Sequence, residues 1–291
     1  MKIGVFAQRF GKPLNEALLS AAETGVDGVQ LYSVSPRENL LEYSPAEKKE
    51  LKQRCADSGL EIFSICGEVG GFGFREKTEN PAKIERIKRN MDLALELGCN
   101  IVTSHIGVIQ ASPSALREAQ LKALQEIGSY AVKSGTVFAI ETGPERGEIL
   151  RDFLEELSSG GIAVNLDAGN MAMVTGEDPS ITAEVLAPYI RHTHLKDGCH
   201  YHDCEPEKVY AAFATGGIKQ LFAENGTAFI EKPVGSGDID WEKYIKTLIR
   251  LGLNKYPAVI EREISPKSEI EARNTVAFLR NIIENSGNGA E

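Results

Sequence analysis

The sequence predicts a single (β/α)8 barrel, an α/β fold in which eight parallel strands close into a cylinder inside a ring of helices. Short apolar, β-branched runs alternate with long helical patterns about eight times along the 291 residues. Most of the helical patterns end at a glycine, and no linker or change in composition separates two domains. A doubly wound open sheet is the alternative that the same alternation allows.

Eight short runs have the continuous apolar character of strands that are buried on both faces. They are rich in valine, isoleucine and leucine, which suits the centre of a parallel sheet. The predicted strands are residues 3–7, 28–32, 61–66, 101–105, 137–141, 162–167, 192–196 and 258–261.

The segments that follow the strands carry apolar residues at helical spacing. Ser44 precedes Pro45, a pattern typical of an N-cap followed by proline at the first helical position, and Ser112 precedes Pro113 in the same way. The clearest predicted helices are residues 13–24, 45–58, 81–97, 113–134, 240–251 and 268–284. The glycines expected to end helices are Gly25, Gly59, Gly98, Gly135, Gly160 and Gly252.

One stretch, residues 198–237, departs from the alternation. It lies between the seventh strand and its helix, where a barrel would carry a lid, and long loops without regular structure are usually functional. Within it, residues 206–213 and 218–225 are expected to form short helices. We therefore predict one barrel domain over residues 1–285, with a lid-like loop at 198–237, and a disordered tail at 286–291.

Composition and charge exclude several classes of protein. With 32 basic and 42 acidic side chains the formal net charge is −10, which argues against a nucleic-acid partner because such binding needs a basic face. No apolar run reaches the roughly 20 residues that cross a membrane, and the first residues do not form a signal sequence. Five scattered cysteines indicate reduced thiols. These features predict a cytoplasmic protein with neither a nucleic-acid nor a membrane partner.

Charged and metal-capable side chains stand at the carboxyl ends of the later strands, the end at which barrel enzymes carry their active sites. They are His105 on the fourth strand, Glu141 on the fifth, Asp167 on the sixth, His192, His194 and Lys196 on the seventh, and Glu261 and Glu263 on the eighth. Side chains alternate across a strand, so the members of the last two sets each share one face.

If that face points into the barrel, Glu141, Asp167, His194 and Glu261 converge from four consecutive strands. Three carboxylates and one imidazole suit Mn²⁺, Mg²⁺ or Zn²⁺ and leave positions open for water or substrate. A single carboxylate at a strand end is more often a salt bridge or a helix cap, and a lone histidine is more often a core residue. Four such groups on consecutive strands are much harder to obtain by chance, so the pattern favours one divalent metal ion.

Short segments along these strands resemble the xylose isomerase-like barrel superfamily of sugar-phosphate isomerases and epimerases. The resemblance covers essentially the whole chain and is specific for the superfamily but not for the substrate. Its anchors are residues 25–31 (GVDGVQL), 139–142 (AIET), 165–170 (NLDAGN), 192–198 (HTHLKDG), 235–241 (GSGDIDW) and 259–261 (VIE).

The resemblance implies a metal-dependent isomerase or epimerase of a sugar or sugar-like polyol. One divalent ion would be held by Glu141, Asp167, His194 and Glu261, the residues that strand parity also brings together. The ion would bind the substrate carbonyl and a neighbouring hydroxyl and stabilise an enediolate. In the family's ketose epimerases the first and last glutamates are the acid/base pair, so Glu141 and Glu261 would remove and return the proton.

Several further side chains are expected to bind substrate. Glu68 would line the site from the loop after the third strand, His105 would do so from the end of the fourth strand, and His202 would reach it from the lid. Asn170 would orient a substrate oxygen. Lys196 would polarise a substrate oxygen, bind a carboxylate, or form a salt bridge with a nearby acid.

Two positions depart from the ketose 3-epimerase pattern. Asn170 stands where those enzymes usually carry a histidine, and Gln30 stands where many members of the superfamily carry a glutamate. These changes leave the general metal-dependent sugar chemistry intact. Residues 199–204 (CHYHDC) contain cysteine and histidine, but the sequence offers no second pair for a structural zinc site.

The sequence also allows functions other than an isomerase or epimerase. A dehydratase is the nearest, since the same enediolate can expel a hydroxyl from a keto-sugar or keto-inositol. A non-catalytic sugar-binding protein belongs to another class, although binding alone does not require a metal centre. A DNA-repair endonuclease of the same superfamily needs many histidines, and this chain has five and a charge of −10. The sequence is compatible with a homo-oligomer.

Overall fold

Eight parallel strands close into a barrel in the computed structural model, which describes residues 1–287. The strands of the chain are Ile3–Phe6 (β1), Gly28–Tyr32 (β2), Glu61–Cys66 (β3), Ile101–Ser104 (β4), Val137–Glu141 (β5), Ile162–Asp167 (β6), Ile190–Leu195 (β7), Asp197–His200 (β8), Phe229–Lys232 (β9) and Ala258–Ile260 (β10). The barrel runs from β1 to β7 in order, then to β10, which pairs with β1. The predicted (β/α)8 barrel is confirmed.

Helices follow the barrel strands and cover the outside. They are Leu14–Glu23 (α1), Pro45–Asp57 (α2), Asn80–Leu97 (α3), Ala115–Ser134 (α4), Gly147–Leu157 (α5), Ala168–Asn170 (α6), Pro179–Leu186 (α7), Pro206–Thr215 (α8), Ile218–Asn225 (α9), Trp241–Arg250 (α10) and Ser268–Gly287 (α11). The short α6 directly follows β6 and continues into a π-helical turn at Met171–Thr175.

Most predicted strands agree with the observed ones to within one or two residues. The sequence pattern places His105, Lys196 and Glu261 inside their strands, whereas the structure places each one residue beyond its strand. At these points the chain leaves the barrel ladder and turns towards the loops above it. The seventh strand begins earlier than predicted because Ile190 already pairs with Val164.

Two of the predicted helix-end signals are wrong. Helix α4 starts after Ser114, whose hydroxyl accepts the N–H of Arg117, and not after Ser112. Helix α5 ends at Leu157, and its C-cap is Ser158, which adopts the left-handed conformation with φ of 48°. Gly160 therefore does not end this helix. A serine in this conformation is uncommon because its Cβ crowds the backbone.

The barrel interior follows the parity that the strands predict except at β3, where the pairing with β2 skips Phe63 and both Phe63 and Ser64 face inward. Phe63 fills part of it by lying against Gly4 and Gly28, where an added Cβ would come within 2.8 and 2.6 Å of its ring. Inward-facing polar side chains follow on the neighbouring strands, and each of these is fully buried: Gln30, Ser64, Thr103, Asn165 and His192. They bond to one another, since buried polar groups need partners.

The lid-like stretch has regular structure of its own. Strands β8 and β9 pair in antiparallel fashion, and α8 and α9 lie between them in the chain. A small apolar core separate from that of the barrel holds these elements together, and it includes Met173, Val209, Leu221 and Phe229. The two short helices expected in this stretch are present.

The described chain ends within a helix. Helix α11 reaches Gly287, so Ser286 and Gly287 of the predicted tail are helical, and residues 288–291 lie outside the described residues. No helix within residues 1–287 is both long enough and apolar enough to cross a membrane.

Candidate metal centre

Four side chains from neighbouring strands meet at the carboxyl end of the barrel. Glu141 ends β5, Asp167 ends β6, His194 lies near the end of β7, and Glu261 directly follows β10. One ligand atom from each lies within 4.8 Å of the others, and all four residues are buried. The structure thus brings together the four residues that strand parity selects.

Two of the carboxylates have one oxygen held and the other directed at the centre. Asp167 Oδ1 accepts the backbone N–H of Asn170 at 2.8 Å, because Asp167 is the N-cap of α6. Arg9 Nη2 donates to Glu261 Oε1 at 2.8 Å. The opposite oxygens, Asp167 Oδ2 and Glu261 Oε2, lie 3.6 and 3.1 Å from His194 Nδ1.

The remaining two ligands follow the same arrangement. Asn165 Nδ2 donates to Glu141 Oε2 at 3.3 Å, and Glu141 Oε1 lies 3.3 Å from His194 Nδ1. His194 Nε2 lies 2.8 Å from Gln30 Oε1 on the other side of the ring. Each ligand is therefore fixed through one atom and offers another to a common point.

Two cationic side chains balance the buried carboxylates. Lys196 Nζ lies 3.2 Å from Asp167 Oδ2 and 3.0 Å from Glu261 Oε2. Burial by itself would raise the pKa of Glu261, but Lys196, His194 and Arg9 hold it well below its ordinary value. Burial would lower the pKa of Lys196, and the carboxylates instead raise it well above its ordinary value. Both groups are therefore charged near neutral pH.

The donor set fits a divalent metal ion. Asp167 Oδ2 and Glu261 Oε2 are buried at ion-pair distance from Lys196 and His194, but neither accepts a well-directed hydrogen bond from any group in residues 1–287. A divalent cation at the common point would give both oxygens a further, directed partner. Three carboxylate oxygens and one imidazole nitrogen are ligands suited to Mn²⁺, Mg²⁺ or Zn²⁺.

His105 and Glu68 form a polar pair beside this centre. His105 Nδ1 lies 3.2 Å from Glu68 Oε2, and His105 Nε2 lies 3.6 Å from Glu141 Oε1. Burial would lower the pKa of His105, but Glu141 and Glu68 raise it to about 10. Burial would raise the pKa of Glu141, and His105 and His194 lower it instead. The pair therefore places a hydrogen-bond donor next to Glu141.

The other predicted substrate-binding residues have different surroundings. Asn170 Nδ2 donates to the carbonyl of Thr142 at 3.0 Å, so one of its two amide hydrogens is already engaged. Lys196 forms ion pairs with Asp167 and Glu261 in this structure. His202 is exposed on the lid, where its Nδ1 lies 3.2 Å from the carbonyl oxygen of Asp203.

Sequence reasoning missed several residues of the site. Arg9 lies shortly after β1. A charged residue that follows an apolar strand is the sequence feature that could have identified it. Asn165 shares the inward face of Asp167, two residues earlier on the same strand, which parity alone would have shown. Tyr210 of the lid has its ring 6.5 Å from that of His105, and no pattern in the sequence marks it. Glu145 is buried in a loop, where strand parity does not apply.

The cysteines and histidines of residues 199–204 do not form a second group of three metal-capable side chains in the described chain. His200 instead pairs with Asp203 at 3.2 Å and with the carbonyl of Met173 at 2.7 Å. All five cysteines, which lie within residues 1–287, are unpaired.

The chain matches the model of a known family. The model of the xylose isomerase-like TIM barrel family matches residues 18–282. The matched range runs from α1 into α11 and includes all four candidate ligands. The chain therefore belongs to this family, as the strand-end segments predict.

Relatives with this fold include a sugar-phosphate epimerase and a dehydratase. A 2-epi-5-epi-valiolone 7-phosphate 2-epimerase from Actinoplanes sp. is 28% identical over 234 residues, which cover 78% of this chain and 83% of the relative. The structure of the probable 3-DHS dehydratase AsbF, involved in petrobactin synthesis, from Bacillus anthracis has a TM-score of 0.74 and 18% identity, with 97% of this chain and 99% of that one covered.

A further solved structure holds a metal. A xylose isomerase-like TIM barrel protein from Mycobacterium smegmatis in complex with magnesium has a TM-score of 0.68 and 19% identity, with 96% of this chain and 93% of that one covered. At such identities the two structures establish a shared fold.

Proposed function

We propose that the protein is a metal-dependent isomerase or epimerase of a sugar or sugar-like polyol that moves a proton at a carbon next to a carbonyl. The observation that carries the proposal is the buried centre, in which four metal-capable side chains are each held so that one donor atom faces a common point. Membership of the family and the epimerase from Actinoplanes support it.

The proton transfer would be divided between two glutamates. When bound, the divalent ion would polarise a carbonyl and a neighbouring hydroxyl of the substrate and so acidify the adjacent C–H bond. Glu141 and Glu261 stand on β5 and beyond β10, three strands apart around the barrel. A substrate held between them presents its acidic carbon to one carboxylate on each side. One glutamate takes the proton from one face of the carbon. The other, which has to carry a proton of its own when substrate is bound, donates that proton to the opposite face, so the carbon is inverted and the two glutamates exchange protonation states.

The surrounding side chains would hold the substrate and exclude water. His105, paired with Glu68, would bind a substrate hydroxyl on the Glu141 side. Lys196 Nζ lies 3.0 Å from the Glu261 carboxylate and would bind a substrate oxygen on that side of the site. The lid formed by β8, α8, α9 and β9 would limit access of water, with Tyr210 facing His105.

The test is the exchange of solvent deuterium into substrate, followed by NMR. The panel would contain ketoses, phosphorylated ketoses, inososes and the substrate named for the Actinoplanes relative. Glu141→Gln and Glu261→Gln keep the side-chain shape but remove the base, so exchange should fall about 10²–10⁴-fold. Glu242→Gln is the control, because its side chain is 68% exposed on α10 and pairs with Lys246, and it should exchange at the wild-type rate.

Metal content has to be measured in the same samples, because both glutamates are also candidate ligands. Variants of Glu141 and Glu261 that retain metal and exchange at the wild-type rate would contradict the proposal. Loss of water from the substrate without stereochemical exchange would identify a dehydratase instead. Binding of sugars with no exchange, whatever the metal supplied, would identify a non-catalytic sugar-binding protein.

A further inference from the structure

Gln30 of β2 lies between two side chains of the barrel interior. It is fully buried, and its carboxamide spans the distance from β4 to β7. Gln30 Nε2 donates to Thr103 Oγ1 at 2.7 Å, and Gln30 Oε1 lies 2.8 Å from His194 Nε2. Among the four candidate metal ligands, Gln30 is hydrogen-bonded to His194.

The orientation of this amide decides which nitrogen of His194 carries a hydrogen. Gln30 Oε1 can only accept a hydrogen bond, so His194 Nε2 must be the donor. In the neutral ring the other nitrogen, Nδ1, is then free of hydrogen and keeps its lone pair. That is the atom that lies 3.1–3.6 Å from the oxygens of the three candidate carboxylate ligands. A flipped amide would do the reverse and direct an Nδ1–H at the carboxylates.

Thr103 holds the other end of the amide. Its hydroxyl lies on the nitrogen side of the carboxamide at hydrogen-bond distance. Both groups are fully buried, so water does not compete for either contact. Because a hydroxyl can donate or accept, Thr103 fixes the position of the amide, and the contact with His194 Nε2 is the one that depends on which amide atom faces the ring.

We propose that Gln30, anchored by Thr103, is a positioning residue that fixes His194 as the Nε2–H tautomer and so presents Nδ1 to the metal ion. This rests on the metal site proposed above. A neutral amide performs this task without adding a fourth buried carboxylate to a site that already holds three. A glutamate at this position could offer the same acceptor but would add a negative charge.

Three variants separate this role from general packing. Gln30→Met keeps the length of the side chain but removes the acceptor, and affinity for Zn²⁺ should fall about 10–100-fold, the usual effect of losing such a partner. Gln30→Glu keeps an acceptor at the same place and should retain Zn²⁺ affinity. Thr103→Val removes only the anchor and should give a smaller loss than Gln30→Met. Gln8→Met is the matched control, because Gln8 bonds the backbone of Tyr32 and not His194.

Zn²⁺ affinity would be measured by competition with a chelator, with circular dichroism to verify that each variant is folded. The tautomer would be read from ¹⁵N shifts of the imidazoles in Zn²⁺-loaded protein, where only five histidines contribute. Wild type should show Nε2 bearing hydrogen and Nδ1 bound to metal for His194.

The outcomes are distinguishable. Unchanged Zn²⁺ affinity and tautomer in folded Gln30→Met would overturn this inference alone. A loss in Gln30→Glu as large as that in Gln30→Met would also overturn it, since an acceptor would then not be what matters. Wild-type protein that takes up no Zn²⁺, Mn²⁺ or Mg²⁺ would instead overturn the metal site on which the proposed function depends.

Discussion

Glu145 is a buried carboxyl group that the proposed chemistry does not use. It lies in the loop between β5 and α5 and is 4% exposed. Its Oε2 atom has no hydrogen-bond partner among residues 1–287. Burial raises the pKa of Glu145 from 4.5 to about 7, although nearby backbone N–H groups and His105 offset part of the effect. The folded protein therefore keeps this proton over a range of pH in which the unfolded chain has lost it.

The raised pKa of Glu145 gives a testable dependence of stability on pH. Because the folded-state pKa lies above the unfolded one, stability falls as the pH rises from about 4.5 to about 7 and is then constant for this group. Glu145→Gln fixes the neutral form, so its stability relative to wild type should be greater at pH 8 than at pH 5 by about 1–3 kcal/mol. Urea unfolding at both pH values measures this. A difference that does not change with pH would show that the carboxyl is not held neutral by burial.

Residues at strand ends were predictable because the rule that places them is local. A period of two fixes which side chains of β5, β6 and β7 face inward, and Glu141, Asp167 and His194 follow from it. The partner that holds each ligand was harder to predict. Arg9 and Glu261 are 252 residues apart in the chain, so their contact depends on barrel closure and register rather than on any sequence pattern.

At the scale of elements, Asp197 joins the end of β7 to the start of α10. This residue is fully buried at the first position of β8. Its carboxylate accepts hydrogen bonds from four N–H groups, those of Gly198 (2.8 Å), Gly235 (2.8 Å), Gly237 (3.1 Å) and the Trp241 indole (2.8 Å). The two ends of the lid are therefore tied to one side chain.

Replacing this carboxylate should loosen the lid and the helix that follows it. Asp197→Asn leaves at least one buried N–H without an acceptor and should lower the free energy of unfolding by about 2–3 kcal/mol. The single tryptophan, Trp241, reports on the contact directly by fluorescence during urea unfolding. Asp203→Asn in the same lid is the control, because that side chain is 85% exposed, and it should stay within about 0.5 kcal/mol of wild type. Equal stabilities for the two variants would contradict the role of Asp197.

Helices were predictable where capping chemistry is unambiguous. The Ser44 side chain accepts the Glu47 N–H, the Glu47 carboxylate accepts the Ser44 N–H, and Pro45 begins α2, as the sequence indicates. At α4 the sequence offers two serines, Ser112 and Ser114, on either side of a proline. Propensity does not choose between them, and the structure uses the second.

At the scale of the whole molecule, closure of the barrel brings three carboxylates together in one buried site. We therefore expect the stability of the folded protein to depend on a bound cation. Lys196 and Arg9 balance part of that charge. A ligand that binds only the folded state adds about 2.7 kcal/mol at a concentration 100 times its Kd. Saturating Mn²⁺ or Mg²⁺ should therefore raise the melting temperature of the wild type, and EDTA should reverse the increase. Asp167→Ala should show no such shift, and a shift as large as in wild type would mean that the metal binds elsewhere.

The barrel as a whole was predictable because eight similar units without a domain break leave few arrangements. Each unit has a strand buried on both faces and a helix with one apolar side, and closure buries all of them at once. The internal structure of the lid was only partly predictable. Its helices have apolar spacing, whereas the pairing of β8 with β9 joins segments that are separated by those helices.

The metal content of purified protein tests the candidate centre most directly. It would be measured by elemental analysis after loading with Mn²⁺, Mg²⁺ or Zn²⁺ and removal of free ion, for wild type, Asp167→Ala, His194→Ala and the control Glu242→Gln, whose side chain is 68% exposed. Wild type and the control should hold about one divalent ion per chain, because the four buried ligand atoms lie within 4.8 Å of one another. Both ligand variants should lose most of it while remaining folded. Full occupancy in Asp167→Ala and His194→Ala would contradict a metal centre built from these residues.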